Sequence, residues 1–207
     1  MSMSTKILYS IAKRAFDISC ALIGLIILSP IFLICIILAK FQSPGPAFYR
    51  AKRVGRYGSL FLMYKFRTMV VNAASMGSSL TTYKDPRITK IGNFLRHTKL
   101  DELPQLLNVL KGDMSIIGPR PEAPIYVKYY TEEQQRVLSV RPGIAGPAQL
   151  ENRDEELKLK GQSDPEQYYI TQLLPEKLNI DLNYIENRSF LLDLKVIFKT
   201  IWAVIKR

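Results

Sequence analysis

Residues 18–39 read ISCALIGLIILSPIFLICIILA. The run is uncharged over 22 residues. As a straight helix it extends about 33 Å, enough to cross the hydrocarbon core of a bilayer. Ser29-Pro30 sits at its centre. Proline lacks a backbone N–H and its ring collides with the preceding turn, so a helix must kink or break there. Basic residues flank both ends: Lys6, Lys13 and Arg14 before, Lys40, Arg50, Lys52 and Arg53 after. Positive charge favours the cytoplasmic side at each end. A single crossing cannot satisfy that, whereas a helix–break–helix that dips in and returns can. A kinked spanning helix is the competing reading, since proline kinks occur in spanning helices. No small-residue cleavage site leads into a polar region, which argues against a cleaved signal peptide. Cys20 and Cys35 lie within the same run, where they read as small apolar residues rather than a disulfide.

The rest of the 207-residue chain suits one domain beside this anchor. Its formal net charge is +11, which calls for an anionic partner: a lipid surface, a phosphorylated substrate or nucleic acid. No acidic residue lies between Asp17 and Asp85. No helix-turn-helix, RNA-recognition or zinc-finger signature accompanies the charge, so nucleic acid is not expected.

Beyond the anchor, Ser43-Pro44-Gly45-Pro46 reads as a rigid turn. Two alternating runs around Gly55 and Gly58 predict a β-hairpin over residues 47–69, and residues 70–84 read as a loop. Helices are expected over 87–112, with Gly92 and Pro104 as boundaries, and over 125–138. Residues 151–160 read as an exposed charged segment. A long amphipathic helix is expected at 178–207, with Lys195, Lys199 and Lys206 on one face and Leu191, Phe198, Ile201 and Trp202 among the apolar remainder. That pattern suits a helix lying in a membrane interface.

Residues 99–122, KLDELPQLLNVLKGDMSIIGPRPE, carry the chemistry. Leu100, Leu103, Leu106, Leu107 and Leu110 make a helical apolar stripe, with Asp101, Gln105 and Asn108 opposite. Pro104 belongs in a first helical turn, which places Asp101 and Glu102 at a helix N-terminus, where the dipole favours negative charge. On this reading Asp101 stays ionised. An ionised carboxylate can attack phosphorus to form an acyl phosphate. A hard divalent cation would offset its repulsion from a diphosphate, and Glu102 is placed to accept a proton or to help hold that cation. The same two residues also fit a plain capping role. Arg96, Arg120 between two prolines, and Arg141 before Pro142-Gly143 are arginines on stiff chain, suited to bidentate phosphate binding. Lys65 and Arg67 in YKFRTM join them as candidates. His97, a lone histidine, reads as structural.

These motifs together resemble the bacterial sugar transferases, the monotopic phosphoglycosyl transferases. The carrying residues are KRAFD (13–17), Ser29-Pro30, SPGPAFYRAKRVG (43–55), YKFRTM (64–69), LDELPQLLNVLKGDMSIIGPRPE (100–122), RPGIAG (141–146) and NRSFLLDLK (187–195). The resemblance implies a mostly helical α+β fold with a re-entrant anchor at residues 1–42 that breaks at Ser29 and Pro30. A catalytic domain at 43–207 follows, with a small β-hairpin sheet and interfacial helices on the cytoplasmic face of the bacterial inner membrane. It implies transfer of a phosphosugar from a UDP-sugar to polyprenol phosphate, by ping-pong kinetics. Asp101 would be the nucleophile and Mg²⁺ ligand, Glu102 its partner, and Lys65, Arg96 and Arg120 the phosphate-binding bases. Anionic membrane lipids are the further partners implied. One departure stands out. Where many relatives have a GLAQVNGR-like sequence, this chain has GPAQLENR (146–153), with Pro147 and Glu151 as the changes. Sugar or nucleotide contacts would be set in this loop.

Overall fold

The computed structural model describes residues 3–42, 44–77 and 80–206. Ser43 of the expected turn, Ser78 and Ser79 of the expected loop, the Lys6 side chain and Arg207 lie outside the described residues.

The helix break falls where Ser29-Pro30 puts it. Helix α1 (Met3–Ile27) and helix α2 (Ser29–Gln42) meet at Leu28 with a bend of 66°. Pro30 cannot donate to the Ile26 carbonyl, and the Ser29 hydroxyl does so instead at 2.8 Å. The serine thus satisfies the acceptor that the proline orphans. No single helix among the described residues is apolar and long enough to cross a membrane, but the bent pair together is.

The KRAFD motif fastens α1 to the rest of the protein. Arg14 donates to the Val109 and Leu110 carbonyls at 2.7 and 3.1 Å. Asp17 accepts from the Ile116 N–H at 3.1 Å. Lys13 and Tyr9 donate to Asp193 Oδ2 at 3.0 and 2.8 Å, and Tyr184 donates to Asp193 Oδ1 at 2.5 Å. Asp193 is 1% exposed. A charge buried that deeply persists only when paired and hydrogen-bonded.

Strands β1 (Phe48–Val54) and β2 (Leu60–Phe66) form the expected antiparallel hairpin. Its turn passes Tyr57 at φ 57° and Gly58 at φ 76°, left-handed conformations that glycine adopts without strain. Helix α3 (Lys90–His97), one 3₁₀ turn (Leu100–Glu102) and helix α4 (Gln105–Lys111) occupy the region expected as one helical stretch. Gly92 lies inside α3 and is not a boundary. A Cβ there would sit 1.9 Å from the Thr68 carbonyl oxygen, so glycine lets α3 dock on the chain just beyond β2. The boundary instead falls at Lys99, whose backbone is left-handed.

Strand β3 (Ser115–Ile117) pairs in parallel with β4 (Gly143–Ala145). Each strand borders a proline-arginine loop. A Cβ on Gly143 would lie 2.1 Å from the Gly118 nitrogen, so the two loops press backbone against backbone. The stretch expected as one helix at 125–138 is instead helix α5 (Pro124–Val127), a turn, and a 3₁₀ segment (Gln134–Ser139). Helices α6 (Pro147–Glu151), α7 (Glu155–Leu159) and α8 (Pro165–Tyr168) follow, and α8 runs through a π-turn into α9 (Leu174–Asn187). The expected terminal helix is two helices. Arg188 leaves helical geometry, and Ser189 caps α10 (Phe190–Ile205) by accepting from the Leu192 N–H at 3.2 Å.

The fold is α+β and mostly helical, as the sequence implies. One apolar core lies under α9 and gathers Tyr126, Leu159, Tyr169, Leu173, Leu174 and Leu178. A second joins α1 to the hairpin through Ala21, Met63, Val109 and Met114. A third joins α2 to α3 through Cys35, Phe66 and Leu95. Outside these cores, Ile23, Ile26 and Ile27 of α1, Leu33 and Phe41 of α2, and Phe198, Trp202 and Ile205 of α10 remain exposed. An uncovered apolar surface of this extent marks a site of association.

Candidate active site

The site is assembled where β2, the 3₁₀ turn and the loop after β3 converge. Asn108 sets the register. Its Oδ1 accepts from the Tyr64 N–H at 2.9 Å, and its Nδ2 donates to the Leu62 carbonyl at 2.8 Å and to Asp113 Oδ2 at 3.1 Å. A side-chain amide thereby pairs with the free edge of β2 as a neighbouring strand would, and it holds the Lys65 strand against α4. Asp101, Gln105 and Asn108 form the buried side of α4 and its lead-in turn, while Leu107 is exposed. The other leucines do pack: Leu106 and Leu110 toward α1, Leu100 and Leu103 toward α2. The polar side faces the hairpin and the site, so both sides of this element are covered.

Asp101 and Glu102 share the 3₁₀ turn, and their surroundings differ. Glu102 Oε1 accepts from Lys65 Nζ and from Arg120 Nη2, each at 2.9 Å. Burial opposes ionisation of Glu102, but Arg120 and Lys65 outweigh it and hold this carboxyl well below the usual range. Asp101 is 6% exposed. Among the described residues no protein hydrogen bond to its carboxylate is formed. Burial pushes its carboxyl above the usual range, against the pull of Lys65, Arg96 and Lys99 and with the repulsion of Glu102. Asp101 is therefore a poorly solvated carboxylate, in the turn that leads into α4, whose charge is favoured by nearby cations.

The candidate bases divide into two groups. Lys65, Arg96 and Arg120 are gathered at the carboxylates. Arg96 acts on Asp101 through space and donates to Glu156 Oε1 on α7 at 2.9 Å. Arg67 and Arg141 are placed elsewhere, contrary to the expectation for them. Arg67 is buried and donates to the Ala39 and Pro44 carbonyls at 2.9 and 3.0 Å, closing the end of α2. Arg141 donates to the Gly112 carbonyl at 2.8 Å, at the far end of α4 from the dyad. Arg14 bonds the neighbouring carbonyls there, so both arginines sit where a helix C-terminus favours positive charge. His97 is exposed on α3 and takes no part.

Several further residues complete the site. Lys99 stabilises both carboxylates. Glu122 accepts from Tyr169 Oη at 2.6 Å and from Lys177 Nζ at 3.3 Å, and Lys177 also donates to Glu155 Oε2 at 3.0 Å. Burial works against the charge on Glu122, yet Lys177 and Tyr169 hold its carboxyl below the usual range. This buried network braces the chain two residues beyond Arg120. A lysine directly before the Leu-Asp-Glu turn was the one available cue to Lys99.

The described residues thus gather paired carboxylates and converging cations, a setting able to hold a phosphorylated group, on a fold that also carries a bent apolar helix pair. Comparison with known proteins agrees. Residues 8–207 match the family model described as bacterial sugar transferase. The chain is 38% identical over 94% of its length to the exopolysaccharide production protein ExoY of Sinorhizobium fredii, covering 85% of that protein. It is 40% identical over 92% of its length to the UDP-glucose:undecaprenyl-phosphate glucose-1-phosphate transferase of Escherichia coli, covering 39% of it. It is 37% identical over 96% of its length to the UDP-N-acetylgalactosamine-undecaprenyl-phosphate N-acetylgalactosaminephosphotransferase of Aeromonas hydrophila, covering 44% of it. The chain belongs to the bacterial sugar transferase family.

Proposed function

We propose that this protein transfers a phosphosugar from a UDP-sugar to polyprenol (undecaprenyl) phosphate, through a covalent intermediate on Asp101. The observation that carries the reading is the asymmetry of the dyad. Glu102 is committed to Lys65 and Arg120, while Asp101, buried beside them, has its oxygens unspent.

In the first half-reaction an Asp101 oxygen forms a bond to the donor's β-phosphorus. The bond from that phosphorus to the bridging oxygen breaks, and UMP leaves with the electron pair. In the second, a phosphate oxygen of the polyprenol phosphate attacks the same phosphorus, the aspartyl–phosphorus bond breaks, and polyprenyl-diphosphate-sugar is released. The two halves share one site, which gives ping-pong kinetics. Lys65, Arg96 and Arg120 offset charge on the phosphoryl group being transferred, and Glu102 holds two of those cations in place.

Mg²⁺ fits the donor set. Among the described residues no group of three or more histidines, cysteines or carboxylates converges, and two adjacent carboxylates are what the dyad offers. Mg²⁺ is commonly held by one or two carboxylates, with substrate phosphates and water completing its shell. Asp101 would be its protein ligand, and the ion would screen the carboxylate from the diphosphate.

The bent α1–α2 pair serves in this reading as a re-entrant anchor in the cytoplasmic face of the bacterial inner membrane, with α10 lying in the interface. The exposed apolar side chains of all three helices support it, as do the exposed Lys40, Arg50 and Lys52 at and beyond the end of the pair, which suit anionic headgroups. The names of the Escherichia coli and Aeromonas hydrophila relatives give undecaprenyl phosphate as acceptor with two different sugars. The test is therefore UMP release from a panel of UDP-sugars, with and without undecaprenyl phosphate and Mg²⁺. Metal-dependent UMP from one sugar supports the reading. No UMP from any of them, with folded and membrane-inserted protein, counts against it.

A further inference from the structure

Arg96 serves two carboxylates. It favours the charge on Asp101 and also donates to Glu156 on α7. The adjacent Glu155 takes Lys177, which reaches the site from the other flank through Glu122. Two neighbouring carboxylates of one short helix thus cover two cations, Arg96 and Lys177. Leu159, 2% exposed in the core under α9, pins the end of the same helix.

The two pairs differ in burial. The Lys177 side chain is 8% exposed, and that pair is part of the fixed frame. The Arg96 and Glu156 side chains are 27% and 45% exposed. A half-solvated single-point ion pair contributes little and exchanges readily. A phosphate brings more charge and several acceptor oxygens, and it engages a guanidinium in two-pronged fashion.

We infer that Glu156 occupies Arg96 as a stand-in for the substrate phosphate, and so sets the affinity of the site for its phosphorylated donor. This rests on the reading of the site given above. A phosphate entering beside Asp101 takes Arg96 from Glu156, while Glu155 and Leu159 keep α7 docked. Part of the donor's binding free energy goes into breaking the Arg96–Glu156 pair, and the site is held back from binding weaker anions.

The test is a double-mutant cycle on the full chain in detergent or nanodiscs. UDP binding is titrated calorimetrically at low ionic strength for the wild type, Glu156→Gln, Arg96→Gln and the double variant. Glu156→Gln is expected to bind UDP about two- to five-fold more tightly, or ~0.4–1 kcal/mol at ~1.4 kcal/mol per tenfold. The gain is expected to shrink as salt is raised and to vanish in the Arg96→Gln background. UDP bound no more tightly by Glu156→Gln, or a gain of equal size without Arg96, overturns the inference while leaving the catalytic reading standing. A wild type that neither binds UDP nor releases UMP from any UDP-sugar overturns both.

Discussion

Asn108→Ala tests how far the site depends on one buried amide. The substitution removes three hydrogen bonds and leaves the Tyr64 N–H and the Leu62 carbonyl without the partner that holds the edge of β2. Each of these two groups left unpaired costs about 1–3 kcal/mol, so a total of about 2–6 kcal/mol is expected. At about 2–4 °C per kcal/mol for a chain of this size, the apparent melting temperature should fall by about 4–24 °C. Activity should fall further than stability accounts for, because Lys65 follows Tyr64 on the released strand. Asn108→Asp refines the test. It keeps the acceptor for Tyr64 but places a second carboxylate about where Nδ2 now lies, 3.1 Å from Asp113 Oδ2. That variant should be as unstable as Asn108→Ala at neutral pH and should recover as the pH is lowered and one carboxylate is protonated. The assay is thermal unfolding of detergent-solubilised protein at several pH values. A melting temperature within about 2 °C of wild type for Asn108→Ala would refute the reasoning.

Further outcomes follow from the same geometry. Asp193→Ala should lower stability by about 2–4 kcal/mol, measured by denaturant unfolding, because it leaves Lys13 only the longer contact to Asp17 at 3.9 Å and removes the acceptor of two tyrosine hydroxyls. The acid limb of the kcat/KM profile should lie above the ordinary carboxylate range, since burial raises Asp101 and the nucleophile must be ionised. Arg96→Gln should move that limb to higher pH, because Arg96 lowers Asp101. Asp181, 4% exposed, is raised by burial to about 7 despite Lys177 nearby. A raised carboxyl weakens the folded state as pH climbs from about 4 toward 7, so Asp181→Asn should stabilise by up to roughly 4 kcal/mol at pH 8 and have no effect at pH 4. Melting curves at those two pH values check it.

Some of this was legible in the sequence because the physics is local. Proline breaks a helix whatever surrounds it, so Ser29-Pro30 gave the bend. Alternation around two glycines gave the hairpin, and the Asp-Glu-Leu-Pro turn marked the dyad. Other features depend on what folds back onto them. The leucine stripe of α4 marks Asn108 as lying opposite it but not what covers that side; it meets the hairpin, and a polar side is buried when it replaces a strand. Arg67 and Arg141 show the limit of composition. An arginine on stiff chain has the same donors whether it meets a phosphate or the last carbonyls of a helix, and only the fold decides. The Glu122–Tyr169–Lys177 network joins residues 47 and 55 positions apart, beyond the reach of any local pattern. The terminal helix was read as unbroken because apolar periodicity runs across Arg188, where Ser189 restarts it.

The most direct test of the central claim is the intact mass of the protein after mixing with its UDP-sugar in the absence of polyprenol phosphate. The expected result is an adduct of one sugar-phosphate, lost when acceptor is added and absent from Asp101→Asn. Steady turnover with no adduct under rapid quench, or the same adduct on Asp101→Asn, would contradict the assignment of Asp101 as nucleophile.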